Sequence, residues 1–211
     1  MARITGDIAF YLLILNCILY FKSYPNFGKP FKFFTLYIFS HTVVEIGMRT
    51  LSFYKLNNHF MTHIYFVMQF LFLSLFFYEL IEKRIQKKII LSYMLVCFST
   101  LILQYVFNPV LFFKFNLLEI FITTFPLIIY ATFYLFEMLE KKKEFYMITI
   151  ALIVYLFGST IVFLFGNILN NINFNFSKFF WSLNTILYLL FQVIVLIEWL
   201  RNYSKKPLKS K

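Results

Sequence analysis

The 211 residues are 61% hydrophobic, 23% aromatic and only 14% charged, with a mean hydropathy of +0.77 and a formal net charge of +11. Ordinary soluble domains are roughly 45–50% apolar and about 25% charged, so this is a membrane composition, and the little sequence between apolar runs leaves no room for a soluble kinase, nuclease or binding domain. A nucleic-acid reader gathers its basic residues on one exposed face, whereas here they form short clusters between apolar runs, so no direct sequence-specific nucleic-acid binding is expected.

A helix needs about 20 mostly apolar residues to cross a bilayer. Segments at about 8–21, 32–53, 60–81, 89–107, 115–138, 146–169 and 179–200 qualify, which predicts an all-α polytopic protein of seven transmembrane helices forming one transmembrane domain over 1–211. The first run, "IAFYLLILNCILYF", is preceded by Asp7 instead of a basic cluster and followed by no small-x-small cleavage site, so it reads as a retained span and not as a signal peptide. The connections carry turn chemistry in "SYPNFGKP", "KLNN", "EKRIQKK", "FNPV", "EKKKE" and "NNINFNFS". Pro126 lacks a backbone donor and predicts a kink in span 5, with Thr123 and Thr124 at hand for the freed carbonyls. In span 6, Ala151, Gly158, Ser159 and Gly166 offer small surfaces for close helix approach.

Short basic loops remain on the cytoplasmic side. Lys22, Lys29 and Lys32 follow span 1; Lys83, Arg84, Lys87 and Lys88 follow span 3; Lys141, Lys142 and Lys143 follow span 5. The tail 201–211 adds Arg201, Lys205, Lys206, Lys209 and Lys211. Alternate connections are therefore basic, which predicts the amino terminus outside and the carboxyl terminus in the cytoplasm. The clusters from Lys83 to Lys88, Lys141 to Lys143 and at Lys205 and Lys206 are candidate contacts for anionic lipid or a protein partner.

Charged side chains in a bilayer cost about 2.5–3.5 kcal/mol each on insertion scales and usually face the bundle interior in pairs. "HTVVEIGMRT" places His41, Glu45 and Arg49 on one helix face, with Glu45 before Arg49 in the favourable order for an ion pair. His63 and Gln69 on span 3, Glu119 on span 5 and Asn184 on span 7 complete a polar set biased to the outer half, a candidate ligand pocket. Buried pairs that fix helix register and a pocket for a small molecule or proton both remain open, since histidine titrates near neutrality. His59 and His63 have HxxxH spacing without a placed carboxylate, Cys17 and Cys97 sit in apolar runs with no metal-type spacing, and no HExxH, GxSxG or paired-carboxylate motif occurs. No catalytic residue, metal or cofactor is expected.

The segments "NNHFMTHIYFVMQFLFLSLFFYEL", "FYMITIALIVYLFGSTIVFLFGNIL" and "FFWSLNTILYLLFQVIVLIEWL" resemble spans 3, 6 and 7 of small Phe-rich seven-helix membrane proteins of Bacteroidetes-type bacteria. The membrane accessory proteins that accompany type VI-B RNA-targeting CRISPR effectors are similar in size and composition. That resemblance implies a non-enzymatic inner-membrane modulator of such an effector in antiviral defence, acting through a cytoplasmic partner, and carries no functional residue onto this chain. The alternative is a seven-helix sensor of a small molecule or proton coupled to a histidine kinase. A transporter or channel, which would favour internal repeats and broken helices, is the third expectation.

Overall fold

In hydrocarbon every backbone N–H and C=O must be satisfied within the segment, so long apolar runs fold as helices. The computed structural model describes residues 2–139, 144–170 and 174–204, without the side chains of 2, 3, 166–170 and 174–177. Among the described residues lie seven α-helices: α1 (Ala2–Ser23), α2 (Lys29–Phe53), α3 (His59–Leu80), α4 (Arg84–Phe107), α5 (Leu117–Met138), α6 (Tyr146–Asn170) and α7 (Phe174–Glu198). A 3₁₀ turn, Pro109–Phe113, precedes α5, and a π-helical turn, Trp199–Tyr203, continues α7. Six helices are both long and apolar enough to cross a membrane. The exception is α2, which has the length, at 25 residues, but whose Thr, Ser, His, Glu and Arg side chains dilute its apolar character.

The chain divides into two units, one of Met1–Gly28 with Leu135–Lys211 and one of Lys29–Tyr134. In the first, α6 and α7 form an antiparallel hairpin: Tyr155 stacks on Phe191 at 5.2 Å and Phe163 meets Trp181 at 5.8 Å. A Cβ at Gly158 would lie 2.7 Å from Leu187 Cδ1, so the Leu187 side chain packs into the space this glycine leaves, in keeping with its place among small residues. Along α1 a polar ladder meets α7. Asn16 donates to the side chain and the carbonyl of Gln192 at 2.8 and 2.9 Å, Tyr20 to the carbonyl of Val195 at 3.2 Å, and Ser23 to that of Tyr203 at 3.1 Å. Position numbers rise together on both helices, so α1 and α7 run parallel.

In the second unit α2, α3, α4 and α5 alternate in direction. Phe34 packs on Phe76 and His41 on Tyr65 across α2 and α3; Phe70 packs on Phe98 across α3 and α4. The Lys29–Glu79 ion pair at 3.7 Å and an Asn58 amide bond to the Met48 carbonyl at 3.3 Å mark the two ends of the α2–α3 hairpin. Of the polar side chains of α2, Thr35, His41 and Thr42 are buried, while Ser40, Glu45 and Arg49 are partly exposed.

Pro126 lies inside α5 and leaves the carbonyl of Ile122, four residues earlier, without its helical donor. The expected neighbours do not fill the gap. Thr123 donates instead to the carbonyl of Glu119 at 2.7 Å, while the Tyr93 hydroxyl, at 3.0 Å, and the Cys97 thiol, at 3.7 Å, reach Ile122 from α4. Cys97 is thus a donor to a vacated backbone site as well as a packing residue. Tyr93→Phe should cost roughly 0.6–1.7 kcal/mol of unfolding free energy in the native sequence, and much less in a Pro126→Ala background, where the restored N–H bonds the same carbonyl. Equal losses in both backgrounds, measured by denaturation in mixed micelles, would contradict this assignment.

Candidate functional site

The site grows from the start of α5. Asn116 precedes the first turn, and its Oδ1 accepts the N–H of Glu119 at 3.3 Å while its carbonyl accepts that of Ile120 at 3.3 Å. "NLLE" is the spacing of a capping box, in which the glutamate would fold back on the capping residue's own N–H. Here Glu119 turns away and crosses to α3 and α4. Its Oε2 contacts His63 Nδ1 and accepts the Tyr105 hydroxyl at 2.7 Å. The Tyr105 oxygen also lies 2.8 Å from His63 Nδ1 and accepts the Asn116 amide at 3.3 Å. Asn116 and Gln104 exchange amide hydrogen bonds at 3.2 and 3.4 Å, which steadies the cap and the end of α4 together.

Three helices and the 3₁₀ turn therefore converge at one end of the unit, because the first turns of α3 and α5 and the last turn of α4 lie at the same level. Phe112, from the 3₁₀ turn, stacks on the His63 ring at 5.4 Å and 25°, and Tyr105 meets that ring edge-on. His63 is 3% exposed and Glu119 fully buried. The amino-terminal end of α5 favours the negative carboxylate, and the imidazole and phenol supply the hydrogen bonds that a buried carboxylate requires. Two atoms stay outside this scheme: among the described residues, Glu119 Oε1 and His63 Nε2 are buried without a hydrogen-bond partner.

Of the residues singled out in the sequence, His63 and Glu119 meet directly. His41 sits at mid-helix between the rings of Tyr37 and Tyr65, at 4.3 and 4.2 Å, and faces Gln69 of α3. Glu45 and Arg49 form the expected pair at 3.0 Å, each side chain about one-third exposed, an environment in which such pairs contribute about 0–1 kcal/mol. Asn184 lies half-buried on α7, in the other unit. Lys83, Arg84 and Lys88 are exposed, while the Lys87 amine sits 5.0 Å above the Tyr78 ring. Lys141, Lys142, Lys143, Lys205 and Lys206 fall outside the described residues. Among the described residues no group of three or more His, Cys, Asp or Glu is arranged to hold a metal ion, and His59 is exposed where His63 is buried.

Tyr105, Asn116 and Gln104 were not foreseen as site residues; the capping-box spacing was the one sequence signal for Asn116. The first unit holds a further unforeseen feature, a cavity of about 580 Å³ lined by Phe27, Phe145, Glu198, Arg201, Asn202 and Tyr203. Beside it Trp199 donates to Ser23 at 3.1 Å and Asn202 to Glu198 at 2.9 Å. No known protein family matches the chain, nor does any curated protein or solved structure.

Proposed function

We propose that the chain is a non-enzymatic regulatory protein of the bacterial inner membrane, and that its input, a small molecule or a proton, is received at the His63–Glu119–Tyr105 centre. The observation that carries this reading is the buried carboxylate–imidazole pair with Glu119 Oε1 and His63 Nε2 left unpartnered among the described residues. A buried ionisable pair is costly unless well compensated, and a buried polar atom left without a partner calls for an explanation, of which a functional role is one.

The same reading takes all seven helices as spans, with the amino terminus outside. The parallel run of α1 and α7 supports it, as do the 25-residue length of α2, about 37 Å of helix, and the burial of its Thr35, His41 and Thr42. In that threading the His63–Glu119 centre lies at the outer interface. Amide exchange of α3 and α5 in nanodiscs tests the proposal, followed between about pH 6 and about pH 8 and with or without an extract of the source cells. A response in the native protein that disappears in Glu119→Gln and His63→Phe supports the centre; a response that persists in both variants contradicts it.

The exposed Lys83, Arg84 and Lys88 favour a second reading of the output side, docking to an acidic surface of a cytoplasmic partner. A sensor kinase would serve, and the effector of an RNA-targeting CRISPR system is the most specific version. Reversing these three charges to Glu should lower co-purification with such an effector several-fold, and unchanged recovery would count against docking through this connection.

A further inference from the structure

The cavity of about 580 Å³ belongs wholly to the first unit, at the level where its helices end. Phe27 follows α1, Glu144 and Phe145 lead into α6, and Glu198, Arg201 and Tyr203 close α7. A 22-residue helix such as α1 is about 33 Å long, close to the thickness of the hydrocarbon core. The cavity therefore falls at headgroup depth in a membrane. Tyr146, which lines it, and Leu200, beside Arg201, are each 54% exposed, so surrounding lipid reaches its edge.

The walls combine aromatic surface with charge. Tyr203 packs between Phe145, stacked at 5.2 Å, and Phe27, edge-on at 4.9 Å. Phe145 takes that place with a left-handed backbone, φ 61°, which bulky side chains rarely adopt. Glu198 is 1% exposed, and the Asn202 amide on Oε1 is its one side-chain hydrogen bond among the described residues. Its Oε2 has none, yet unlike Glu119 Oε1 it is not sealed off, and the space it reaches is the cavity. A glutamate this buried normally has a cationic partner. Arg201 lies three residues on and lines the same cavity, but no ion pair joins the two among the described residues. Its guanidinium rests instead on the Met147 thioether at 3.5 Å, a weak acceptor. A carboxylate and a guanidinium thus line one cavity without neutralising each other, and the exposed Glu144 adds a second carboxylate at its rim.

A ligand that carries a cation and an anion a short distance apart completes both groups at once. An ammonium with N–H bonds to donate suits Glu198 Oε2, and the aromatic wall favours the same charge. A trimethylated ammonium has no N–H to give. A phosphate suits the guanidinium. We propose that the cavity binds the phosphoethanolamine head of a membrane lipid, with its ammonium on Glu198 against Phe145 and Tyr203 and its phosphate on Arg201. The depth of the cavity selects the lipid over a soluble compound with the same head, and a volume of about 580 Å³ falls among ordinary small-molecule sites. This site lies in the first unit and does not rest on the reading of His63 and Glu119.

Native mass spectrometry of the protein released from detergent micelles tests the proposal, with dioleoyl phosphatidylethanolamine, dioleoyl phosphatidylcholine and glycerophosphoethanolamine added in turn. The ethanolamine lipid should bind about tenfold more tightly than the choline lipid, the worth of one charge-assisted hydrogen bond. Glu198→Gln should bring the two lipids to equal affinity. Arg201→Gln, at an exposed position, should weaken both lipids alike and leave their ratio unchanged, so the test stands even if Glu198→Gln fails to fold. Equal binding of the two lipids by the native protein, a preference that persists in Glu198→Gln, or native binding of both lipids by Arg201→Gln overturns the proposal. Glycerophosphoethanolamine bound as tightly as the ethanolamine lipid would overturn it as well, by giving the site to a soluble compound.

Discussion

Glu119→Leu is expected to lower the unfolding free energy by about 3–5 kcal/mol. The substitution removes the acceptor shared by His63 and Tyr105 and strands an imidazole that is 3% exposed. Removing one partner of a buried pair is more harmful than removing both, because the survivor keeps its desolvation cost without compensation. His63→Phe alone should also destabilise, since it leaves the carboxylate with Tyr105 as its remaining side-chain partner in this network. The double variant His63→Phe/Glu119→Leu should then lose less than the sum of the two, by roughly 0.5–3 kcal/mol. Glu119→Gln keeps a carbonyl acceptor for Tyr105 and should be the mildest change. Reversible unfolding in mixed detergent micelles measures all four proteins, and strictly additive losses would show that the pair is not energetically coupled.

How legible the molecule was depends on whether a feature is local. The run lengths alone marked the helices, and α6 and α7 needed nothing more. Glu45 and Arg49 were readable as a pair because four residues along a helix fix their distance. His63 and Glu119 were each readable as costly groups in a bilayer, but they lie 56 residues apart, and nothing in either neighbourhood records which helix faces which. Tyr105 near a helix end looks like an interfacial anchor and Asn116 like a turn residue, so the network that joins them emerged only from packing. Pro126 shows the same divide. Its disruption of α5 is local and was foreseen, while the donors that repair Ile122, Tyr93 and Cys97, come from another helix. The Asn16–Gln192 contact, 176 residues apart, was beyond any spacing argument.

That contact also bears on the threading from which the depth of every polar group follows. Two parallel helices that both cross a membrane must be separated in the chain by an odd number of crossings. Between α1 and α7 stand α2, α3, α4, α5 and α6. If α2 lay along the surface, four crossings would remain and α7 would run opposite to α1, against the shared direction of the Asn16, Tyr20 and Ser23 bonds. On this account α2 crosses despite its polar residues, of which Thr35, His41 and Thr42 are buried and Glu45 and Arg49 pair with each other.

Single cysteines placed at Ile4 and at Ser204, both exposed, in a chain whose Cys17 and Cys97 are replaced by Ala, put this to the most direct measurement. A membrane-impermeant maleimide applied to intact spheroplasts should label the protein carrying Ile4→Cys and leave the one carrying Ser204→Cys unlabelled until the membrane is opened. Labelling of both before the membrane is opened, or of neither, would place the two ends on one face and contradict the seven-crossing account.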